Sequence, residues 1–309
     1  MKIAIMGSGG LGGYYGARLQ AGGNEVTFIA RGEQLKALQQ NGIALEGDRA
    51  IHLPDVKATD DPKTIGKVDM VIFTVKLRDT ESAARQLLPV IGPDTGIISL
   101  QNGVTKDDML APVVGREHLL GGAAYIGVSI VRPGVIRKAG TIERLAFGEF
   151  GNKVSPRAQA FLEACKASDV KADIPADISL ELWQKFVVIV TMSSITSVMR
   201  STIGPIRANP NARAFALDVM KEVAAVGRAK GIALEPDFAE KRFAHIDGMS
   251  PDMRASMSLD LELGRPLELP WLAGAVIEMG AKAGVPTPCC RAVRDILALY
   301  VDGKPAGTF

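Results

Sequence analysis

A glycine-rich turn near the start of the chain constrains the fold more than any other feature. Residues Gly7–Gly12 match the pattern G-x-G-x-x-G, between an apolar segment predicted as a strand, Lys2–Met6, and a predicted helix, Gly12–Ala21. In such a turn the first glycine permits a tight bend, the second lets the main chain approach a pyrophosphate, and the third lets helix and strand pack closely. The context favours a dinucleotide site over an ordinary glycine-rich turn. The cofactor-binding residues predicted here are Gly7, Ser8, Gly9, Gly10, Leu11 and Gly12.

The end of the second predicted strand indicates which dinucleotide is bound. NAD-selective sites usually place Asp or Glu about 20 residues after the turn, where it holds the ribose hydroxyls. This chain has Ala30 at that place and Arg31 next to it. A guanidinium can pair with a 2′-phosphate through charge-assisted hydrogen bonds. We therefore predict NADPH as the cofactor, although Arg31 could also be a surface arginine in a loop.

Apolar strands alternate with helices in the first half of the chain, which is typical of a parallel sheet covered on both faces. Helices are predicted over Gly32–Asn41, about Pro156–Ala167 and, nearer the C-terminus, Pro251–Leu263. After Ile174 the sequence has the pattern of successive helices, separated by breakers such as Gly204-Pro205 and Asn209-Pro210. The predicted fold class is α/β, with an N-terminal Rossmann-type dinucleotide-binding domain over residues 1–173 and an all-helical C-terminal domain over residues 174–309.

Composition excludes several classes of partner. The 36 basic and 34 acidic residues give a net charge of +2, which provides no field for binding nucleic acid or anionic lipid. The longest apolar tract, Phe186–Met199, contains several hydroxyl residues and is shorter than the ~20 residues of a membrane span. Three cysteines and three histidines without metal-ligand spacing argue against a disulfide scaffold and a metal site. We expect a cytoplasmic protein. Cys289 or Cys290 could be a reactive thiol at a helix start, but structural cysteines are favoured.

With these residues placed, further motifs resemble the ketopantoate reductase (2-dehydropantoate 2-reductase) family almost from end to end. The most specific are the glycine turn with Arg31, the Asn-Gly pair and the E-L-W-x-K segment. The matching residues are Val75-Lys76, Gln101-Asn102-Gly103, Glu181-Leu182-Trp183-Gln184-Lys185, and Ser256 with Asp260 and Glu268.

The resemblance implies a role for each matching position. Lys185 would be the catalytic lysine and Glu268 the carboxylate facing it. Asn102 would lie beside both the nicotinamide and the substrate, and Ser256 would contact the substrate. Lys76, together with Arg31, would lie at the adenosine end of the cofactor.

The chemistry of ketone reduction agrees with these roles, because hydride addition builds negative charge on oxygen and needs a proton donor. A lysine ammonium can stabilise that charge and supply the proton. Structural explanations remain open for each residue taken alone. Lys185 could pair with Glu181 on a helix surface, Asn102 could belong to an ordinary turn, and Glu268 could be a solvated carboxylate.

The chain departs from the family pattern at the predicted substrate pocket. Where the resemblance implies substrate-binding asparagines on the helix after Lys185, the chain has Ile189 and Ser193, and Met253 replaces a further asparagine. Loss of an amide partner would cost a buried substrate oxygen about 1–3 kcal/mol. The substrate-binding residues predicted here are Asn102, Lys185, Ile189, Ser193 and Ser256.

We therefore predict NADPH-dependent reduction of a 2-keto acid: 2-dehydropantoate to pantoate, as in pantothenate biosynthesis, or a related compound with a less polar tail. One alternative is an enzyme resembling 6-phosphogluconate or hydroxyisobutyrate dehydrogenase. Another is a sensor that binds NADPH without turnover. The expected partner is a small-molecule 2-keto acid, with no nucleic acid and no membrane, and a homodimer is plausible.

Overall fold

Ten strands between Lys2 and Asp173 form one sheet in a computed structural model that describes residues 1–307. Residue contacts divide the chain into a first unit of residues 1–101 and 106–181, and a second unit that contains residues 102–105 and the described residues from Leu182 onwards. The domain boundary expected from the sequence lies between residues 173 and 174, and this boundary remains a prediction. The strands are β1 Lys2–Met6, β2 Glu25–Ile29, β3 Ile43–Glu46, β4 Ile51–Leu53, β5 Lys57–Thr59, β6 Val68–Phe73, β7 Ile91–Ser99, β8 Leu119–Arg132, β9 Val135–Glu149 and β10 Ala172–Asp173.

The strand order across the sheet is β4-β3-β9-β8-β7-β6-β1-β2-β5, with β10 paired to β9. The six strands from β5 to β8 are mutually parallel along this path. If these six strands are numbered 1 to 6 in chain order, their order across the sheet from β5 to β8 is 3-2-1-4-5-6. This is the strand order of a dinucleotide-binding sheet. β8 then turns back into β9 as a long antiparallel hairpin, and β9 pairs with β3 in parallel. The predicted Rossmann-type fold is confirmed.

The central strands of the sheet, such as β1 and β6, are buried on both faces because most of their positions are apolar. In β1, Ile3 and Ile5 belong to one hydrophobic cluster, whereas Ala4 and Met6 belong to the cluster on the opposite face. This division follows the two-residue period of a strand. The helices of this unit are α1 Gly10–Ala21, α2 Gly32–Asn41, α3 Thr80–Leu87, α4 Lys106–Val114 and α5 Pro156–Ala167.

All the described secondary-structure elements of the second unit are helices, as predicted. A long helix, α6, begins at Ile178 in the first unit and ends at Val198 in the second. The remaining helices are α7 Ile203–Ala208, α8 Pro210–Ala229, α9 Phe238–Asp247, α10 Ser256–Glu262, α11 Ala273–Ala283 and α12 Pro288–Leu297. Short 3₁₀ turns connect several of these elements, including Leu269–Trp271 directly after Glu268.

By length and apolar composition α6 could cross a membrane, but 61% of its most apolar window is buried inside the protein. Two of its hydroxyl groups are satisfied within the helix, because Thr191 Oγ1 and Thr196 Oγ1 donate to the main-chain oxygens four residues earlier. Internal hydrogen bonds of this kind let small polar residues lie in a buried helix at little cost. This degree of burial is typical of a helix in the core of a protein.

The start of α12 is capped by a carboxylate from α8. Glu222 accepts hydrogen bonds from the main-chain N–H groups of Cys289 and Cys290, at 2.6 and 2.9 Å. A negative charge at this end of a helix is favourable because it meets the unpaired N–H groups and the positive end of the helix dipole. Burial, followed by the hydrogen bond and charge of Glu222, raises the pKa of Cys289 to about 12. The same causes raise the pKa of Cys290. These thiols have the environment of structural cysteines.

Several elements were absent from the sequence prediction. The short strands β3, β4 and β5 have three or four residues each and carry too little pattern to identify. Pro112 lies inside α4, and Gly204-Pro205, interpreted as a breaker, lies inside the first turn of α7. Proline is tolerated there because first-turn N–H groups have no partner within the helix. The helix predicted over Pro251–Leu263 begins later, at Ser256.

We predict that Cys289 reacts slowly with a thiolate-selective reagent at about pH 8 and faster in the Glu222→Gln variant. A thiol whose pKa is raised stays protonated until the pH approaches the raised value, so little thiolate exists near neutrality. Removing the charge of Glu222 lowers the pKa of Cys289 and should increase its labelling rate severalfold. Labelling followed by peptide mass spectrometry measures the rate at each cysteine.

The matched control is Glu240→Gln, which removes a carboxylate that pairs with Lys221 on the surface of the same unit. This variant should label at the rate of the unmodified protein. Equal rates in the Glu222→Gln variant and the unmodified protein would contradict this account of the thiols.

Candidate active site

The glycine turn connects β1 to α1 in a conformation that other residues would not adopt. Gly7 has a φ of +91°, in the region that favours glycine. A Cβ placed on Gly12 would lie 2.2 Å from the carbonyl oxygen of Gly7, so the helix can pass the end of the strand only because residue 12 has no side chain. A Cβ on Gly9 would meet nothing within 4 Å and would project into open space. The turn therefore combines close packing on one side with an accessible main chain at Gly9.

This turn has the donors that a dinucleotide pyrophosphate requires. Within the described residues no side chain caps α1, whose N-cap residue is Gly9. The N–H groups of Gly10, Leu11 and Gly12 occupy the first turn, where they have no partner within the helix. Unpaired N–H groups and the positive end of the helix dipole attract phosphate oxygens. The residues present fit the phosphates of NADPH.

The side chain of Ser8 faces the protein interior. It is 3% exposed, and its hydroxyl donates to the carbonyl oxygen of Ile29 at 3.2 Å. Gln34 Nε2 donates to the carbonyl oxygen of Ser8 at 2.8 Å. Any contact between Ser8 and a cofactor would thus use its main chain. Thr74, at the end of β6, donates to the carbonyl oxygens of Met6 and Gly7. Thr74 was not predicted as a residue that holds the turn, although a polar residue directly after a buried strand is a signal for such a role.

The two predicted cations of the adenosine end follow neighbouring strands. Arg31 is exposed, is the N-cap residue of α2, and donates to Gln86 Oε1 at 3.2 Å. Lys76 is exposed and follows β6 by three residues. Since β1 pairs with β2 on one side and with β6 on the other, both cations follow strands adjacent to the strand that leads into the glycine turn. Both are placed where the carboxyl ends of parallel strands bind ligands.

In the second unit, two residues predicted for the active site meet directly. Asn102 Nδ2 donates to Glu268 Oε2 at 3.4 Å, although the residues are 166 positions apart. The next residue, Gly103, has a φ of +95°, and its added Cβ would lie 3.4 Å from the carbonyl oxygen of Trp271. The Asn-Gly pair therefore packs against the segment that carries Glu268. Both polar side chains are half-buried, so each retains some accessible surface.

Lys185 is half-buried on α6, two turns after the helix begins. Its neighbours Trp183 and Phe186 are buried and contact each other edge to face, with ring centroids 5.5 Å apart. A helix fixed by buried aromatic residues holds an adjacent side chain within a narrow range of positions. Lys185 is thus carried by a rigid element rather than a loop.

The predicted substrate residues differ in how accessible they are. Ser256 is exposed and is the first residue of α10, and Ile189 is half-buried one turn after Lys185. Ser193 is only 3% exposed. Met253, where the family pattern suggested an amide, is 38% exposed. Direct contact between a ligand and Ser193 would therefore require a cavity reaching into the protein, whereas Ile189 and Ser256 present accessible surface.

A polar network that the sequence analysis missed surrounds the first turn of α6. Glu181 accepts hydrogen bonds from Tyr125 Oη at 2.5 Å and from Arg144 Nη1 at 2.7 Å. Arg144 also binds Asp173 through Nε and Nη2, at 2.7 and 2.8 Å. The hydrogen bonds to Asp173 and Glu181 raise the pKa of Arg144, which stays charged. The helix start is thus tied to β8, β9 and β10, and no local sequence signal indicated this pairing.

Two further polar residues flank the Asn102 segment. Gln101 Nε2 donates to the carbonyl oxygen of Val75 at 3.0 Å and to Thr80 Oγ1 at 2.8 Å. Lys106 is fully buried, and its Nζ donates to the carbonyl oxygen of Ser99 and to Asp107 Oδ2, both at 2.9 Å. Buried polar groups that are paired in this way fix a segment in one arrangement. Gln101 and Lys106 therefore hold the two ends of the 102–105 segment.

Comparison with known proteins identifies a family over nearly the whole chain. Residues 3–152 match the model of ketopantoate reductase PanE/ApbA, and residues 177–301 match the model of its C-terminal domain. The 2-dehydropantoate 2-reductase of Archaeoglobus fulgidus is 32% identical over 309 residues, covering 99% of this chain and 98% of that protein. The enzyme of the same name from Mesorhizobium japonicum is 30% identical, covering 95% of each chain.

Solved structures agree with this result. The crystal structure of 2-dehydropantoate 2-reductase from Geobacter metallireducens has a TM-score of 0.89 and 28% sequence identity, covering 96% of this chain and 99% of that one. The two family models together favour this family over the 6-phosphogluconate and hydroxyisobutyrate dehydrogenases considered from the sequence. The chain belongs to the ketopantoate reductase PanE/ApbA family and is an oxidoreductase of the CH–OH/C=O class that uses NADPH.

Proposed function

We propose that this protein reduces a 2-keto acid to the corresponding 2-hydroxy acid, with Lys185 as the proton donor. The observation that carries the proposal is the hydrogen bond between Asn102 and Glu268, which joins two residues assigned to the active site from separate motifs. Family membership supports the reaction class, and the substrate considered first is 2-dehydropantoate. An enzyme acting on that compound would produce pantoate, as in pantothenate biosynthesis.

The glycine turn and two cations would hold the cofactor. The main-chain N–H groups of the first turn of α1 would bind the pyrophosphate, Arg31 the 2′-phosphate, and Lys76 the adenosine end. When bound, NADPH supplies the hydride that reduces carbon 2 of the keto acid and is left as NADP⁺.

Lys185 would protonate the oxygen of the same carbonyl group. As the C=O π bond breaks, its electron pair moves onto oxygen, and the Lys185 ammonium donates a proton to that oxygen. Water then reprotonates the amine. Before the transfer, the positive charge of Lys185 favours the electron-rich oxygen of the transition state over the neutral ketone.

Glu268 and Asn102 would position the reacting groups. Glu268 would orient Lys185 and accept hydrogen bonds from the bound ligand. With Nδ2 bound to Glu268, Asn102 has an orientation in which its amide oxygen and second N–H can contact cofactor or substrate. Ser256 would add a hydroxyl for the substrate. Ile189 and Ser193, on the Lys185 helix, are the other residues predicted to bind it.

The remaining assignments follow from the same chemistry. Three free cysteines in the described chain suit a reducing compartment, and we place the protein in the cytoplasm. The partner is a small keto acid rather than nucleic acid or membrane. A homodimer is compatible with this function and would leave the proposed roles unchanged.

The Lys185→Met variant should lose catalysis while retaining cofactor. Methionine preserves much of the side-chain volume but has neither the charge nor the proton, so kcat should fall by about 10²- to 10⁴-fold. The Kd for NADPH, measured by fluorescence titration, should change little.

The control for this experiment is Lys221→Met, which removes an exposed lysine of the same unit that pairs with Glu240. It should keep the kcat of the unmodified protein. A Lys185→Met variant with unimpaired kcat would exclude Lys185 as the proton donor.

The Arg31→Ala variant should bind NADPH less tightly and NADH almost as before. Charge-assisted hydrogen bonds contribute about 1.5–3 kcal/mol, so the Kd for NADPH should rise by roughly tenfold to a hundredfold. Isothermal titration with the two cofactors separates loss of the 2′-phosphate contact from general damage to the site.

Arg85→Ala is the matched control, because Arg85 is an exposed arginine of α3 paired with Glu81. Its affinities should equal those of the unmodified protein. If Arg31→Ala weakened NADPH and NADH equally, Arg31 would not be the residue that distinguishes them.

A further inference from the structure

The Lys185 helix has a narrow accessible strip. Between Leu182 and Ser197, four side chains are half-buried, and every other residue of this stretch is buried. The four are Gln184, Lys185, Val188 and Ile189. Their spacing places them on one face of α6, three and four positions apart. Between Leu182 and Ser197, a molecule that contacts Lys185 can therefore meet α6 only through this strip.

The strip has a polar end and an apolar end, with Lys185 at the junction. Gln184 lies on the amino-terminal side, whereas Val188 and Ile189 lie one turn further along. Side chains of an α-helix lean towards its N-terminus, so Val188 and Ile189 lean towards the turn that carries Lys185. Both end in methyl groups and can neither donate nor accept a hydrogen bond. The surface next to Lys185 on this side is purely aliphatic.

The next turn of α6 does not supply a polar partner either. Met192 is 6% exposed, and Ser193, at 3%, is also buried. The hydroxyl of Ser193, one turn beyond Ile189, is thus covered by the protein. A ligand hydroxyl placed against Val188 and Ile189 would lose its hydrogen bonds to water without gaining one from α6.

We propose that the substrate is a 2-keto acid whose side chain is a branched hydrocarbon without a terminal hydroxyl, and that Val188 and Ile189 select it. This inference rests on the proposed function, since it assumes that the keto group lies at Lys185. The carboxylate and the keto oxygen use the charged and amide donors of Lys185 and Asn102. The remaining substituent of carbon 2 packs on the aliphatic end of the strip, where its burial is favourable.

Two keto acids of equal size test this selection. One is 2-dehydropantoate, 4-hydroxy-3,3-dimethyl-2-oxobutanoate, and the other is 3,3-dimethyl-2-oxopentanoate, which carries a methyl group in place of the hydroxyl. We expect the purified full-length protein with saturating NADPH to show a kcat/KM about tenfold to a hundredfold higher for the methyl compound. That ratio corresponds to one buried hydroxyl left without a partner.

Substitutions in the strip should shift the preference from the methyl compound towards 2-dehydropantoate. Ile189→Asn supplies an amide and should shift the ratio of the two kcat/KM values towards 2-dehydropantoate by at least about tenfold. Val188→Thr is nearly isosteric and should shift the ratio in the same direction, which keeps the test valid if Ile189→Asn does not fold. Ile296→Asn, at an exposed position of α12, is the control and should leave the ratio unchanged.

The outcomes distinguish the inference from the proposed function. A ratio near one, or a preference for 2-dehydropantoate in the unmodified protein, overturns the inference and leaves keto-acid reduction in place. Ratios that do not move in either strip variant also overturn it. If neither compound is reduced the inference fails, and the proposed function fails with it only when pyruvate and 2-oxobutanoate are also left unreduced while NADPH binds.

Discussion

The close approach of α1 to the end of β1 is the constraint on which the cofactor-binding half depends. The carbonyl oxygen of Gly7 lies where a side chain on residue 12 would have to be, and Thr74 donates a hydrogen bond to that same oxygen. Any larger residue at position 12 would push the helix away from the strand. Since strand, turn and helix are fixed together in this way, the first-turn N–H groups keep one direction and can serve a phosphate without rearrangement.

A second constraint governs the catalytic half, where α6 is buried on almost every side. Between Leu182 and Ser197, burial leaves only Lys185 and three neighbours accessible, so this stretch offers a ligand one charge, one amide and two hydrocarbon side chains. The first turn of the helix is tied by Glu181 to Arg144 and Tyr125. A proton donor on such an element is preorganised, which favours the transition state because little reordering is needed during the reaction.

Local signals in the sequence were sufficient for the glycine turn and for elements with well-marked ends. The bounds of β1, α2 and α5 were predicted correctly. For α5, Ser155 accepts a hydrogen bond from the N–H of Ala158 and Pro156 is the first helical residue. For α2, Gly42 follows the last turn with a φ of +69°. Short strands such as β4 and β5 had no such markers, because three residues cannot establish a period.

The candidate site was predictable in its residue types but not in its contacts. Asn102 and Glu268 were named from separate motifs, and only the fold shows that they meet. Glu181 has partners that the sequence did not reveal, because its spacing from Lys185 pointed only to a pair within the helix. Its hydrogen bonds go to Tyr125 and Arg144 on the long hairpin. Contacts between segments far apart in sequence depend on the register of the sheet and the packing of helices, which no local pattern encodes.

The central claim is that this protein transfers hydride to the carbonyl carbon of a 2-keto acid, and deuterium transfer tests it most directly. The protein would be incubated with 2-keto acids and NADPH that carries deuterium at the transferable position of nicotinamide carbon 4. The account predicts a 2-hydroxy acid with one deuterium at carbon 2 for each cofactor oxidised, and loss of this product in the Lys185→Met variant. Tight NADPH binding without deuterium in any 2-hydroxy acid would contradict it and favour a protein that senses NADPH.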